Sequence, residues 1–137
     1  MRRFLILLAI VFAPAAAAQQ AELSDAAEDA RQAWFAHDAR GLVADGPRLL
    51  VQLPGADPSV ALGPAQATAL LRDFMVQGQE VETVVLAAKE VEPGRGYVEL
   101  RRSYRIAGTQ EVRIQSLLLG YRLQRAAWRL VELRVVE

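Results

Sequence analysis

Four stretches of the C-terminal half, Glu80 to Val91 (EVETVVLAAKEV), Tyr97 to Ala107 (YVELRRSYRIA), Glu111 to Gln124 (EVRIQSLLLGYRLQ) and Trp128 to Val135 (WRLVELRV), alternate apolar and polar residues. Period two marks half-buried β-strands. The intervening turns are Glu92-Pro93-Gly94-Arg95-Gly96, Gly108-Thr109 and Arg125-Ala126-Ala127, and connections this short make consecutive strands antiparallel neighbours. In the third stretch the apolar residues sit at Val112 and Ile114 but then at Leu117, Leu119, Tyr121 and Leu123. This change of parity predicts a β-bulge near Gln115-Ser116, and bulges bend sheets.

Upstream the period changes to that of helices. Leu23, Ala27, Ala30, Trp34 and His37 recur at three- and four-residue steps, with Ser24 placed to cap the helix and Asp25, Glu28 and Asp29 near its positive end. Asp38 can cap a short second helix that Gly46-Pro47 stops, and Arg48 to Leu53 alternates as a strand. Pro54-Gly55-Ala56-Asp57-Pro58 turns the chain into a second short strand around Ser59 to Leu62. Pro64 then opens a helix whose apolar stripe is Ala67, Leu70, Leu71 and Phe74. The expected fold is α+β: N-terminal helices packed on a strongly curved antiparallel sheet of four long strands plus a short strand pair, forming a cone.

The first residues have a different character. Arg2 and Arg3 precede an apolar run from Phe4 to Phe12, and Ala16-Ala17-Ala18 follows Pro14, the order of a cleavable export signal. A membrane-spanning helix needs roughly 20 apolar residues, about twice this run. Residues 1–18 therefore read as a signal peptide of an exported bacterial protein, periplasmic or secreted, and residues 19–137 as one domain without a further membrane span. The chain has no Cys, which excludes disulfides, lipoprotein attachment and thiolate metal sites. Without Arg2 and Arg3, 14 basic residues face 16 acidic ones, a balance that argues against nucleic acid as partner. From Arg95 onward there are nine Arg and four Glu, whereas Gln19 to Gly94 holds five basic and twelve acidic residues.

The order helix, short helix, two short strands, helix, four long strands resembles the nuclear transport factor 2-like (cystatin-like) superfamily over nearly all of residues 19–137. Trp34-Phe35-Ala36-His37-Asp38-Ala39-Arg40-Gly41-Leu42 looks like its helix junction, although many members have Gly where His37 stands. Gly63-Pro64-Ala65-Gln66-Ala67 before Leu70-Leu71-Arg72-Asp73-Phe74, and the closing Trp128 to Val135, look like its third helix and last strand. Within the superfamily the chain is most similar to short exported families of unknown function. The resemblance implies a cone that can enclose a ligand, and a superfamily that spans isomerases, dehydratases, cyclases and non-enzymatic binding or dimerisation domains.

Individual residues narrow the chemistry. His37 is the only histidine, which excludes a His-rich metal site and gives no triad spacing; no metal ligand set, cofactor motif or catalytic residue is identified. Arg102 shares a face with Val98, Leu100, Tyr104 and Ile106, so its guanidinium requires a carboxylate such as Glu132, a ligand anion, or the open rim. Trp34, Phe74, Arg102, Tyr104 and Tyr121 are the candidate lining of a cone pocket. An isomerase-like site needs a carboxylate facing that pocket, and Glu99 and Glu132 alternate to the outer face. Leu118, Trp128 and Leu130 are expected together on the outer face, an apolar cluster suited to a homodimer. The sequence thus points to non-enzymatic binding of a small apolar or amphipathic ligand, or to an association module. The alternative is an isomerase-, dehydratase- or cyclase-type enzyme acting on a small hydrophobic substrate.

Overall fold

The structure, a computed structural model, describes residues 15–44 and 46–137. The arginine pair and apolar run read as an export signal lie outside the described residues. Three helices, α1 (Ala15–Phe35), α2 (Ala39–Val43) and α3 (Pro64–Met75), pack on one face of a five-stranded sheet. Its strands are β1 (Leu50–Gln52), β2 (Gly78–Glu92), β3 (Arg95–Ile106), β4 (Val112–Gln124) and β5 (Ala127–Val136), in the spatial order β1-β5-β4-β3-β2. The four long strands form the expected antiparallel meander, while β1 joins β5 in parallel. The second short strand is reduced to one bridge, Leu49 with Leu62, because Ser59 binds both the amide and the carbonyl of Val51 and turns the chain there.

The core lies between the helices and the inner sheet face. Leu23, Ala27, Ala30 and Trp34 of α1 and Ala67, Leu71 and Met75 of α3 meet Val98, Leu100, Leu117, Leu119, Leu133 and Val135. Helix α1 begins well before Ser24, so Ser24 is not its cap; the hydroxyl donates back to the Gln20 carbonyl instead. At the other end His37 occupies the left-handed region with φ 54°, and the amides of His37 and Asp38 donate to the carbonyls of Trp34 and Ala33. This is a Schellman stop, whose left-handed position glycine usually fills. Asp38 then caps α2 through the amide of Gly41, 2.9 Å away.

Curvature comes from bulges, but not where parity placed one. The β3–β4 register is unbroken, Arg102 facing Gln115 and Ser103 facing Ile114. Gln115 is buried on the inner face, and Val112 and Ile114 are exposed on the outer one, so β4 never changes face. The parity switched only because a polar residue points inward. The irregularities lie in β2, where Val81, Leu86 and Val91 are each skipped in the pairing, and in β5, where Val131 is skipped between Gly120–Glu132 and Tyr121–Leu130. The extra residue at Val131 flips the parity of the strand before it. Leu130 is therefore buried in the core, and Trp128 packs inward with its indole donating to the Gln19 carbonyl at 3.0 Å. Of the three residues expected on the outer face, Leu118 alone lies there.

Candidate functional site

Four of the five expected pocket residues meet inside the cone. The Arg102 guanidinium carbon lies 3.9 Å from the Tyr104 ring centroid, 5.2 Å from that of Trp34 and 5.7 Å from that of Phe74. Arg102 is 1% exposed. Its partner is Glu80 rather than Glu132, which sits on the outer face opposite Gly120. Glu80 Oε2 accepts from Nε at 3.1 Å, and Oε1 accepts from Nη2. Gln115 Oε1 accepts from Nη1 at 3.0 Å, and the Gln115 amide donates onward to Glu137 at 3.1 Å. His37, at the rim, brings Nε2 to 3.1 Å from Glu80 Oε1. The close fit requires Gly78, since a Cβ there would stand 2.7 Å from the Tyr104 ring and 3.1 Å from Arg102 Nη2.

Glu80 is thus the buried carboxylate that the sequence did not reveal. Both oxygens of that carboxylate accept from the Arg102 guanidinium, which commits it as an acceptor. The pair neutralises itself where an acid–base group would have to be free. Two buried polar atoms of residues that adjoin Arg102, Trp34 Nε1 and Thr83 Oγ1, have no hydrogen-bond partner among the described residues. Tyr121, the fifth expected residue, lies apart. It borders a groove of about 180 Å³ between α1, α2 and β5, and burial, then the Asp29 charge, raises its phenolic pKa. Among the described residues no group of His, Cys, Asp and Glu could hold a metal ion, and no helix is long and apolar enough to cross a membrane.

The larger cavity is on the opposite side of the sheet. A trough of about 520 Å³ runs over the outer face between β3, β4, β5 and β1. Its apolar floor is Leu50, Tyr97, Leu118 and Val131, and Arg48, Arg95, Arg122 and Arg134 surround it; Glu132 is the carboxylate in the lining, and Glu99 stands opposite Leu118 at its edge. Gly120 makes the dip at its centre: a Cβ there would stand 3.2 Å from the Cβ of Glu132. Arg95 pairs with Glu92 at 3.1 Å, whereas Arg48, Arg122 and Arg134 form no ion pair with any described residue. Burial, followed by the nearby Glu99 charge, raises the Tyr97 phenol. The arginine bias of the C-terminal half was legible in the sequence; the trough was not, because it arises from sheet curvature.

Solved structures share this architecture. A ketosteroid isomerase-like protein from Erwinia carotovora atroseptica superposes with a TM-score of 0.69 at 13% identity, covering 85% of this chain and 94% of that one. An NTF2-like protein of unknown function from Pseudomonas putida gives 0.68 at 15% identity, covering 88% and 87%. The fold is nuclear transport factor 2-like. A second NTF2-like protein of unknown function, from Shewanella oneidensis, matches over 87% of this chain and 99% of its own, with a TM-score of 0.64 at 10% identity. No family model matches the chain, and no curated protein matches it in sequence. Identities this low establish the NTF2-like fold and leave the activity to the site itself.

Proposed function

We propose that this NTF2-like chain is a non-enzymatic binding domain that takes a small amphipathic ligand in the trough on the outer face of its sheet. One observation carries the reading: a concavity of about 520 Å³ joins an apolar floor to arginines of which Arg48, Arg122 and Arg134 form no ion pair with a described residue. Ligand sites fall in the range of roughly 300–1,000 Å³ and combine apolar lining with a few convergent polar groups. The order of residues 1–18 supports export, so the ligand would be met in the periplasm or outside the cell. Native mass spectrometry of the protein isolated from its own envelope tests this. Retention of a bound small molecule that Leu118→Glu abolishes supports the trough, and retention unaffected by Leu118→Glu overturns it.

A second reading, an enzyme working inside the cone, has one observation in its favour. Trp34 Nε1 and Thr83 Oγ1 have no partner among the described residues, and both residues adjoin Arg102, the partner of the buried Glu80 carboxylate, within a fold shared by a ketosteroid isomerase-like protein. It requires a substrate to displace Arg102 from Glu80. A panel of ketosteroids turned over by the wild type and not by Glu80→Gln would establish it.

A further inference from the structure

The placement of charge around the trough goes further than its volume. We infer that the ligand is a single-chain amphiphile with an anionic head, carboxylate or phosphate, bound with the head at Arg95 and Arg122 and the chain over Tyr97 and Leu118. This rests on the trough being the binding site.

The register sets Arg95 opposite Arg122 and Arg122 opposite Arg129, a row of three arginines across three adjacent strands. Like charges directly opposite one another destabilise a sheet. Glu92 relieves only Arg95, and neither Arg122 nor Arg129 forms an ion pair with a described residue. An anion between Arg95 and Arg122 removes that repulsion and gains charge-assisted hydrogen bonds. One row along the strands the side chains change to Tyr97, Gly120 and Glu132, and the next row sets Leu118 between Glu99 and Arg134. Glu132 and Glu99 oppose an anionic group on their rows, which places the head at the Arg95–Arg122 row and the chain over Tyr97 and Leu118. The Glu132 side chain leans over Gly120, with its Oε2 3.7 Å from where a Cβ would stand, and Leu50 stands opposite Glu132 across the β1–β5 pairing.

Titration calorimetry of the purified protein with unbranched C6 to C12 carboxylates below micelle formation tests the inference. The expected result is one site whose affinity rises by up to about fourfold per methylene, weakened tenfold or more in the exposed-site variant Arg122→Ala. Decanol and decylamine should bind at least tenfold more weakly than decanoate. If decanol or decylamine binds as tightly as decanoate, the anionic head is wrong and the trough reading survives. If inorganic phosphate binds as tightly as dodecyl phosphate, the chain contributes nothing and the inference fails. Binding only to phosphatidylglycerol vesicles, never to monomeric amphiphile, also overturns it. Should no alkyl probe bind, or should binding ignore both Arg122→Ala and Leu118→Glu, the trough reading falls with the inference.

Discussion

Glu80, at the start of β2, holds Arg102 of β3 through two of its guanidinium nitrogens, and each side chain is 2% exposed. Removing one partner strands a charge in the core. Arg102→Ala and Glu80→Ala should each lower stability by about 3–5 kcal/mol. Replacing both by Met and Leu should recover most of that loss, because a buried pair costs desolvation that an apolar pair avoids. Urea midpoints of the two single variants and the double variant check this. A single variant within about 0.5 kcal/mol of wild type would show that the pair is not buried in solution.

The β4–β5 turn carries strain of a removable kind. Arg125 and Ala126 both have positive φ, 51° and 60°, in a two-residue connection between Gln124 and Ala127. Such turns favour Asn-Gly, and L-residues pay for the left-handed conformation. Arg125→Asn with Ala126→Gly is expected to raise stability by about 1–2 kcal/mol. Thermal denaturation of the double variant decides it, and an unchanged or lowered midpoint refutes the strain.

Tyr121 makes stability sensitive to alkali. Its folded-state pKa is raised from an ordinary 10.0, by burial and then by Asp29, so the folded protein holds the phenolic proton more tightly than the unfolded chain. The contribution is fully present below about pH 10 and is lost as pH rises above it. Stability measured across that range should fall less steeply in Tyr121→Phe than in wild type. Parallel curves would remove Tyr121 from the account.

Association through the outer face competes with the trough. The apolar patch that motivated a dimer is broken up, since Trp128 and Leu130 face inward and Leu118 remains on the outer side. Sedimentation equilibrium at micromolar concentration is expected to return a monomer mass. A dimer that Leu118→Glu dissociates would instead assign this face to a second copy.

Export predicts a mature protein beginning at or near Gln19. Intact-mass analysis of protein from the envelope fraction reads this directly. A product retaining Arg2 through Phe12 would contradict it.

The sheet could be read from the sequence because β3 and β4 keep one face on the core throughout, which imposes period two, and β2 and β5 keep it between their bulges. The face of Arg102 was legible for the same reason, bracketed by Val98, Leu100 and Tyr104. Its partners were hidden by local breaks in that rule. Glu80 sits just before the bulge at Val81, so alternation counted back from Val84 and Val85 does not reach it. Gln115 points inward among apolar neighbours and imitates a change of face. The bulge at Val131 reverses Trp128 and Leu130 for a similar reason. His37 did carry a signal: a non-glycine residue at a helix stop accepts a strained backbone, and here its ring reaches Glu80.

The parallel union of β1 with β5, Val51 beside Leu133, has a kinetic consequence. Strands β2 through β5 are linked by tight hairpins and can zip up in sequence, but β1 must find a partner far along the chain and pays the largest loop-closure entropy of any strand. It is also three residues long, so it should dock last and detach first. Arg48 and Leu50 line one side of the trough, so that wall is the least stable. Passage of a bound molecule would then be timed by the local unfolding of one short strand, and slow hydrogen exchange at Leu50 and Gln52, whose amides alternate to the β5 side, would report its residence in the loaded protein.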